Sequence, residues 1–264
     1  MNDVGRFGVF TGVVEMQLEV RASGALLIRG PDAFTVDAPD MAFVRYPIDG
    51  VRVPYLPGSS LKGVLRSGAE ALLRGLGREA CTTWRDTCWA CLTFGSTRGA
   101  SVVLVDDGLP WPPGAGDTEK TQAFERLERG RTIRTSVAID RQAGAVAAGP
   151  FDYEALVRPQ FYPTVRLRNP APWQAAFVAA SFGLLDGGIL RLGGMTSKGL
   201  GRVEVDVRSV EIVAVRDGLA DLWEADWTVE PVAPPLVRRR APSSREVVER
   251  WRSRLENWLA EAPV

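Results

Sequence analysis

Residues 55–73 read YLPGSSLKGVLRSGAEALL and carry the clearest structural signal in the chain. Pro57 and Gly58 form a turn signal, after which apolar residues recur with the i, i+4 spacing of one helix face. The stretch therefore predicts a loop that leads into a helix. Ser59 and Ser60 are candidate N-caps, and the free N–H groups of the first helical turn favour a bound anion.

Two basic residues extend this signal along the predicted helix. Lys62 and Arg66 lie one turn apart and can present positive charge along the same edge, which suits a phosphate backbone better than a single small anion. The alternative is an ordinary capped amphipathic helix with a solvated basic face.

Composition limits the possible classes of protein. The chain has 264 residues, of which 45% are apolar, enough for one large or two small globular domains. Lysine plus arginine and aspartate plus glutamate are equal at 32 each, so any contact with nucleic acid must come from a local basic surface. The sequence has no basic and apolar N-terminal signal and no run of eighteen apolar residues, which predicts a cytoplasmic protein without a membrane span.

The sequence contains no histidine, which excludes mechanisms that need an imidazole. Carboxylates, metal-bound water, lysine or the substrate's own groups remain for any chemistry. Residues 30–49, GPDAFTVDAPDMAFVRYPID, have no helical period and contain four aspartates: Asp32, Asp37, Asp40 and Asp49. A loop rich in carboxylates directly before a phosphate-suited helix is a candidate for chemistry, although such residues more often initiate turns.

Three cysteines follow the helix with the spacing C-x6-C-x2-C, at Cys81, Cys88 and Cys91. The C-x2-C half is typical of a zinc knuckle, and an odd cluster in a cytosolic chain favours metal over disulfide. A fourth ligand is missing, so Asp86, Glu79, water or another chain would complete the shell. The alternative to a zinc site is a group of three reduced thiols. If the cysteines bind a metal ion, we expect that ion to have a structural role.

Period-two alternation predicts strands at residues 8–28 and 160–167 and a hairpin over residues 131–157, and residues 101–105 are typical of a buried strand. An apolar helical pattern covers residues 173–185. A proline-rich tail at residues 229–242 then leads to a capping box of Ser243 and Glu246 and a last helix.

The predicted hairpin is basic at Arg131, Arg134 and Arg141, and Phe151 and Tyr153 are its evident stacking residues. Such an arm cannot easily bury itself in its own domain, so contact with a partner chain or an extended polymer is expected.

A second glycine-rich segment, ILRLGGMTSKGLGRVEVDV, leads into a strand near Arg202. Its glycines let the backbone approach a ligand closely, and Lys198 and Arg202 add positive charge. The segment is not a Walker loop because it precedes a strand and not a helix, and an irregular β-turn is the alternative.

Four motifs in order, PGSSLKGVLRS, C-x2-C-LTFGS, RTSVAIDRQAG…FDYE and GGMTSKGLGRV, resemble the RAMP superfamily of CRISPR-associated proteins. The resemblance is greatest to the repeated backbone subunit of type III effector complexes, and the cysteines resemble those of zinc-containing type III-D members. It implies an α+β fold with a ferredoxin-like (RRM-like) core in one domain, residues 1–240, followed by a C-terminal helix, residues 241–264. The insertions would be a zinc-knuckle-like loop, residues 78–98, and a β-hairpin thumb, residues 131–157.

The resemblance also implies partners: CRISPR RNA, complementary target RNA, other RAMP subunits and copies of this chain in a head-to-tail filament. The residues expected to contact the guide RNA are Ser59, Ser60, Lys62, Arg66, Arg134, Arg141, Thr196, Ser197, Lys198 and Arg202.

Family members that cut target RNA use an aspartate in the loop before the PGSSLKG motif, together with a divalent metal, Mg or Mn. Asp40 occupies the position that resembles this aspartate, and Asp37 is the rival. A non-catalytic subunit that only holds the guide–target duplex is the alternative. A third possibility, a ribonuclease that matures the guide, is disfavoured because such members usually use histidine.

Overall fold

The computed structural model describes residues 8–31, 39–81 and 88–261. In chain order the first half contains β1 (Gly12–Ala22), β2 (Ala25–Leu26), β3 (Arg45–Ile48), β4 (Val51–Pro54), α1 (Gly58–Gly75), α2 (Trp89–Phe94), β5 (Val103–Val105) and α3 (Asp117–Arg129). The second half contains β6 (Arg131–Ile139), β7 (Val146–Val157), β8 (Gln160–Phe161), β9 (Thr164–Arg168), α4 (Pro172–Asp186), β10 (Val203–Val215), β11 (Thr228–Ala233), β12 (Leu236–Arg240), α5 (Ser244–Ser253) and α6 (Leu255–Glu261).

The main sheet has the strand order β11-β12-β10-β1-β9-β5, and β8 pairs with β1 outside this path. All of its pairings are antiparallel. At its centre Val14 of β1 lies opposite Ile212 of β10 on one side and Leu167 of β9 on the other. Antiparallel sheets combined with helices confirm the predicted class of mixed α and β structure.

Strand β1 alternates buried and half-buried residues, as its sequence pattern predicts. Its buried side chains, Val14, Met16, Leu18 and Val20, belong to one hydrophobic core together with residues of α1 and α4. Burial of each such side chain contributes about 1.5–3 kcal/mol, so this face holds the helices on the sheet.

Helix α1 forms where the sequence predicts it, with a slightly different buried face. Leu61, Leu65, Ala69 and Leu73 are buried, whereas Leu76 is exposed and follows the last helical residue. The sequence pattern predicts Leu72 and Leu76 on this face, whereas the i, i+4 series continues through Leu73, four residues after Ala69, and Leu76 lies beyond the last helical residue.

The predicted hairpin is present as β6 and β7, and it pairs with β2 to form a separate three-stranded sheet. The half of the hairpin distant from β2 is exposed and carries apolar side chains at Val137, Ile139 and Val146. Strands β3 and β4 form a further two-stranded sheet, and β3 lies within residues 30–49, which the sequence predicted to be a loop.

Helix α3 and the hairpin β11–β12 were also missed by the sequence patterns. Helix α3 is mostly charged and buries only Ala123 and Leu127, so its apolar period is too sparse to recognise. The proline-rich segment forms the hairpin β11–β12 at the sheet edge, where the missing N–H of Pro231 breaks no ladder within the sheet interior.

The C-terminal region begins as predicted, because the Ser243 hydroxyl accepts a hydrogen bond from the Glu246 N–H at 3.4 Å. It consists of two helices, α5 and α6, which bury Trp251, Leu255 and Leu259 in the main core. Within the described ranges, no helix is both long and apolar enough to cross a membrane.

Candidate functional site

Asp40 lies at the base of the β6–β7 hairpin. Its Oδ2 accepts a hydrogen bond from the Asp152 N–H at 2.8 Å, and Met41 continues the contact through backbone hydrogen bonds with Asp152 and Glu154. The Asp40 side chain is exposed, and its Oδ1 accepts no hydrogen bond from the described residues. One oxygen therefore fixes the carboxylate on the hairpin while the other remains available. The rival Asp37 lies outside the described residues.

A buried carboxylate two residues farther along β7 holds the same segment. Glu154 is 2% exposed, and its Oε2 accepts the Phe43 N–H at 3.0 Å. Its Oε1 pairs with Arg45 Nη2 at 2.7 Å and with Arg131 Nε at 2.8 Å. Sequence reasoning missed Glu154, because its partners come from two distant segments and no local spacing indicates them.

Arg45 extends this network to helix α3 through an ion pair with Glu128 at 2.7 Å. Burial alone would lower the pKa of the Arg45 guanidinium, but hydrogen bonds to Glu128 and Glu154 raise the pKa above its ordinary value. Arg45 is therefore held firmly in its charged form between the helix and the hairpin.

A small hydrophobic cluster joins the acidic segment, the hairpin base and the glycine-rich loop. It is formed by Ala25, Leu27, Tyr153, Ala155 and Leu200, with Met41 and Met195 packed against it. Since Met41 adjoins Asp40 and Met195 adjoins Thr196, the cluster brings two of the predicted site segments side by side. The stacking role expected of Tyr153 is wrong, because its side chain is 6% exposed within this cluster. Phe151 is half-buried.

The glycine-rich loop owes two of its glycines to packing within the chain. At Gly193 (φ +82°) an added Cβ would lie 2.1 Å from the Leu27 carbonyl oxygen, and at Gly201 (φ +81°) 2.2 Å from the Leu192 carbonyl oxygen. The prediction that these two glycines allow close approach of a ligand is therefore wrong. They are required because the backbone of this chain itself packs closely against them. At Gly199 (φ +92°) an added Cβ would meet no atom within 4 Å, so only the backbone angle requires glycine.

Lys198 connects this loop to the hairpin, since its Nζ lies 2.7 Å from the Ser136 Oγ. Ser197 and Arg202 are exposed and Thr196 is half-buried. Their side chains, with Lys198, leave a polar and basic surface on the loop.

Arg134 and Arg141 on the hairpin are exposed, and neither forms an ion pair with any acidic residue in the described part of the chain. The hairpin as a whole is neutral, because its three arginines are balanced by Asp140, Asp152 and Glu154, but Arg134, Arg141 and Lys198 are exposed positive charges on and beside it.

The start of α1 differs from the prediction. Pro57 is the N-cap, so the proposed capping by Ser59 and Ser60 is wrong, and both serines lie within the first helical turn. The Gly58 N–H donates to the Asp107 Oδ1 at 2.8 Å. The Asp107 carboxylate thus already occupies one N–H group of the expected anion site. This contact could not be predicted from the local pattern, because Asp107 is distant in sequence from the helix start.

Lys62 faces the segment after α2, where its Nζ donates to the Ser101 Oγ at 2.9 Å. Burial and the nearby positive charge of Arg66 lower the pKa of Lys62 below its ordinary value. Among the described residues no carboxylate forms an ion pair with Lys62, so its charge is not neutralised within the chain.

The guanidinium group of Arg66 binds acceptors within this chain. Its Nε pairs with Glu70 at 2.9 Å, Nη1 donates to the Gly95 carbonyl at 2.6 Å, and Nη2 lies 3.4 Å from the Cys91 Sγ. A phosphate contact at Arg66 would have to replace at least one of these bonds. Thus Lys62 and Arg66 face the cysteine region, while Lys198 faces the hairpin.

The three cysteines come together as the spacing predicted. The Sγ atom of Cys81 lies 3.4 Å from that of Cys88 and 3.1 Å from that of Cys91, and all three lie within 4.8 Å of one another. Hydrogen bonding to Cys91, burial and hydrogen bonding to Cys88 raise the pKa of the Cys81 thiol to about 12.

Three thiolates around one tetrahedral zinc ion, each at about 2.3 Å from it, lie roughly 3.8 Å apart, so this cluster fits such an ion. No carboxylate of the described residues joins the group, and Glu79 is exposed. Asp86 and the rest of the intervening loop, residues 82–87, lie outside the described residues.

The fold and the site together define a mixed α/β protein in which a hairpin with exposed arginines meets the segment of Asp40 and a glycine-rich loop. The chain belongs to the RAMP superfamily, whose family model matches residues 40–204. This confirms the family that the four sequence motifs indicated.

Two solved structures are similar to the chain. A subunit of a type III-B Cmr-beta complex, from a cryo-EM structure of the apo state, is 13% identical with a TM-score of 0.48 and covers 74% of this chain and 97% of its own. A subunit of a type IV-B CRISPR complex is 21% identical with a TM-score of 0.49 and covers 73% of this chain and 90% of its own. No curated protein sequence matches the chain significantly.

Proposed function

We propose that this protein is a backbone subunit of a type III CRISPR effector complex, which binds the guide RNA and cleaves complementary target RNA with Asp40 and a divalent Mg or Mn ion. Membership of the RAMP superfamily supports the RNA-binding role. The observation that carries the catalytic part is the hydrogen bond from the Asp152 N–H to the Asp40 Oδ2, which holds an exposed carboxylate on the hairpin base.

The proposed core is ferredoxin-like. In support, β1, α1, β5, β9, α4 and β10 follow one another as strand, helix, strand, strand, helix, strand, with the four strands ordered β10-β1-β9-β5 in the sheet. The domain would span residues 1–240 with the cysteine loop and hairpin as insertions, and residues 241–264 would pack on it.

Guide RNA would bind through phosphate contacts to two groups of residues. One group surrounds the hairpin and the glycine-rich loop, namely Arg134, Arg141, Thr196, Ser197, Lys198 and Arg202. The other is at the start of α1, where Lys62 retains an unneutralised charge beside Ser59 and Ser60. Phosphate contacts of this kind give affinity without sequence preference.

Other RAMP subunits, and copies of this chain in a head-to-tail filament, are the proposed protein partners. The exposed apolar half of the hairpin supports this, because Ile139 and Val146 are 64% and 60% exposed in the isolated chain and gain from being covered.

Cleavage without histidine can proceed by attack of the ribose 2′-hydroxyl on the adjacent phosphate. Alignment of that hydroxyl with the leaving oxygen is the main requirement, and the hairpin would provide it by distorting the target strand. The Oδ1 of Asp40 would hold the divalent ion or its bound water beside the phosphate, while Oδ2 keeps the side chain oriented. A bound Mg or Mn ion would supply charge stabilisation for the phosphate.

Substitution of Asp40 separates this proposal from a non-catalytic subunit that only holds the duplex. Asp40→Asn keeps an oxygen for the Asp152 N–H but removes the negative charge. Asp49→Asn is the matched control, because Asp49 is an exposed carboxylate in the β3–β4 turn, and asparagine tolerates its positive φ of 48°. Complexes assembled with guide RNA are given labelled target RNA in Mg²⁺. Loss of cutting only in Asp40→Asn supports the proposal, whereas equal cutting by both variants removes Asp40 from the mechanism.

The cysteine cluster would hold a structural zinc ion through the Sγ atoms of Cys81, Cys88 and Cys91. Metal analysis of the purified protein and of Cys91→Ser tests this. A zinc content near one per chain that falls in the variant supports the site, and a metal-free wild-type protein contradicts it.

A further inference from the structure

We propose that Glu154 is the positioning residue of the cleavage site, acting through the segment that carries Asp40. This inference rests on the proposed cleavage by Asp40. It starts from the short ladder in which the segment from Asp40 to Phe43 runs beside Asp152 and Glu154 of β7, with Met41 bridged to Tyr153 in parallel orientation.

The hairpin grips this segment at both ends. At one end the Asp152 N–H binds the Asp40 carboxylate at 2.8 Å, and at the other the Glu154 carboxylate binds the Phe43 N–H at 3.0 Å. Between them Met41 donates to the Asp152 carbonyl at 3.1 Å and accepts from the Glu154 N–H at 2.9 Å. The Glu154 side chain is thus the anchor that stops the segment from sliding along β7.

Charge makes this anchor strong. Glu154 is 2% exposed, and a buried carboxylate needs compensating partners, which Arg45 and Arg131 supply at 2.7 and 2.8 Å. Arg131 is the first residue of β6 and Arg45 the first residue of β3, so the carboxylate ties both hairpin strands to the chain that follows Asp40. Arg45 also binds Glu128 of α3, which fixes the junction to the rest of the protein.

Glutamine at this position cannot replace glutamate. One oxygen of Glu154 serves Phe43 and the other serves both arginines, so all of its partners are donors. The amide of Glu154→Gln has only one acceptor oxygen, and its NH₂ group must face a donor on one side. The variant therefore releases either the Asp40 segment or the arginines while keeping nearly the same shape.

The test uses complexes assembled with Glu154→Gln and, as the matched control, with Glu211→Gln. Glu211 also bridges two arginines from a strand, Arg238 at 3.3 Å and Arg240 at 2.9 Å, but it lies on β10 of the main sheet. We expect the single-turnover cleavage rate at saturating target to fall about 100-fold in Glu154→Gln, because small misplacement of a reacting group has effects of this size. Guide and target affinity should stay unchanged, and Glu211→Gln should cleave as wild type.

A cleavage rate of Glu154→Gln equal to that of Glu211→Gln, in complexes with full guide content, would overturn the proposal. Equal reduction of the rate in both variants would also overturn it, since that is the result of general weakening.

A second measurement is independent of catalysis. Hydrogen exchange of the Met41 and Phe43 amides in the full chain should quicken in Glu154→Gln and not in Glu211→Gln. If Asp40→Asn cleaves normally, the proposed function fails, and exchange alone then decides whether Glu154 positions the segment. Unchanged exchange refutes that role.

Should Glu154→Gln not fold, Arg131→Gln takes its place, because Arg131 is half-exposed and its replacement removes one partner of Glu154.

Discussion

The guanidinium of Arg66 lies against the Sγ of Cys91, with Nη2 and sulfur 3.4 Å apart. Helix α1, which carries the strongest sequence signal, is thereby linked to the cysteine cluster. Three thiolates around a divalent ion carry a net negative charge, which Arg66 would offset. A residue expected to contact RNA therefore lies against the cysteine cluster.

Arg66→Gln should weaken metal binding by about 10-fold or more, because it removes a partner of the ligand sulfur. Competition with a chromophoric chelator measures the affinity. Arg74→Gln is the control, since Arg74 lies on the same helix and its side chain pairs, among the residues that the structure describes, with Glu70 alone, at 4.0 Å. Identical affinities for the two variants would show that Arg66 does not support the cluster.

The chain has three lysines, Lys62, Lys120 and Lys198, which allows a simple footprint of the guide RNA. An amine-reactive reagent should modify Lys62 and Lys198 less when guide RNA is bound, whereas Lys120 on α3 should be unaffected. Mass spectrometry of peptides gives the three extents of modification. Protection of Lys120 alone would place the RNA on a different surface.

The same reagent tests the environment of Lys62. Burial, together with Arg66, lowers its pKa, so its neutral and reactive amine appears at lower pH than in an ordinary lysine. In RNA-free protein the midpoint of modification against pH should therefore fall below 10.5, the ordinary lysine value. An unshifted midpoint would mean that Lys62 points into solvent.

Substitution of charge should also change the salt dependence of RNA binding. Lys62→Ala or Lys198→Ala should weaken guide binding for all sequences, and the slope of log K against log salt should become shallower by about 0.7 for each phosphate that the variant no longer neutralises. Fluorescence anisotropy at several salt concentrations measures the slope, with Lys120→Ala as control. Sequence-selective weakening would instead indicate binding to bases.

Two glycines of the loop should respond differently to alanine. In Gly199→Ala the added methyl group contacts no neighbour, so only the positive φ should lower the free energy of unfolding, by about 1–2 kcal/mol. Gly193→Ala adds overlap with the Leu27 carbonyl oxygen and should cost about 3 kcal/mol or more. Denaturant unfolding measures both free energies of unfolding. Equal destabilisation would contradict the close packing of Gly193 on Leu27.

Much of the fold was predictable because it depends on local patterns. Alternation marks β1 and the β6–β7 hairpin, helical period marks α1 and α4, and the serine cap marks α5. Period and capping act over neighbouring residues, so the sequence displays them directly. Sequence patterns failed to predict α3, because few of its positions are apolar. They also failed to predict β11, because a strand at the sheet edge tolerates proline.

The cysteine cluster and the four RAMP motifs were likewise readable from spacing and order, since each motif is continuous in sequence. The sequence by itself thus determined the main secondary structure, the family and the group of thiols that meet. Only the tertiary structure decided which partners these residues have. Asp107 binds the first amide of α1, Arg66 turns to Cys91, and Glu154 clamps the segment after Asp40. Each of these contacts joins residues more than twenty positions apart, where side-chain geometry and burial, and not local period, select the partner.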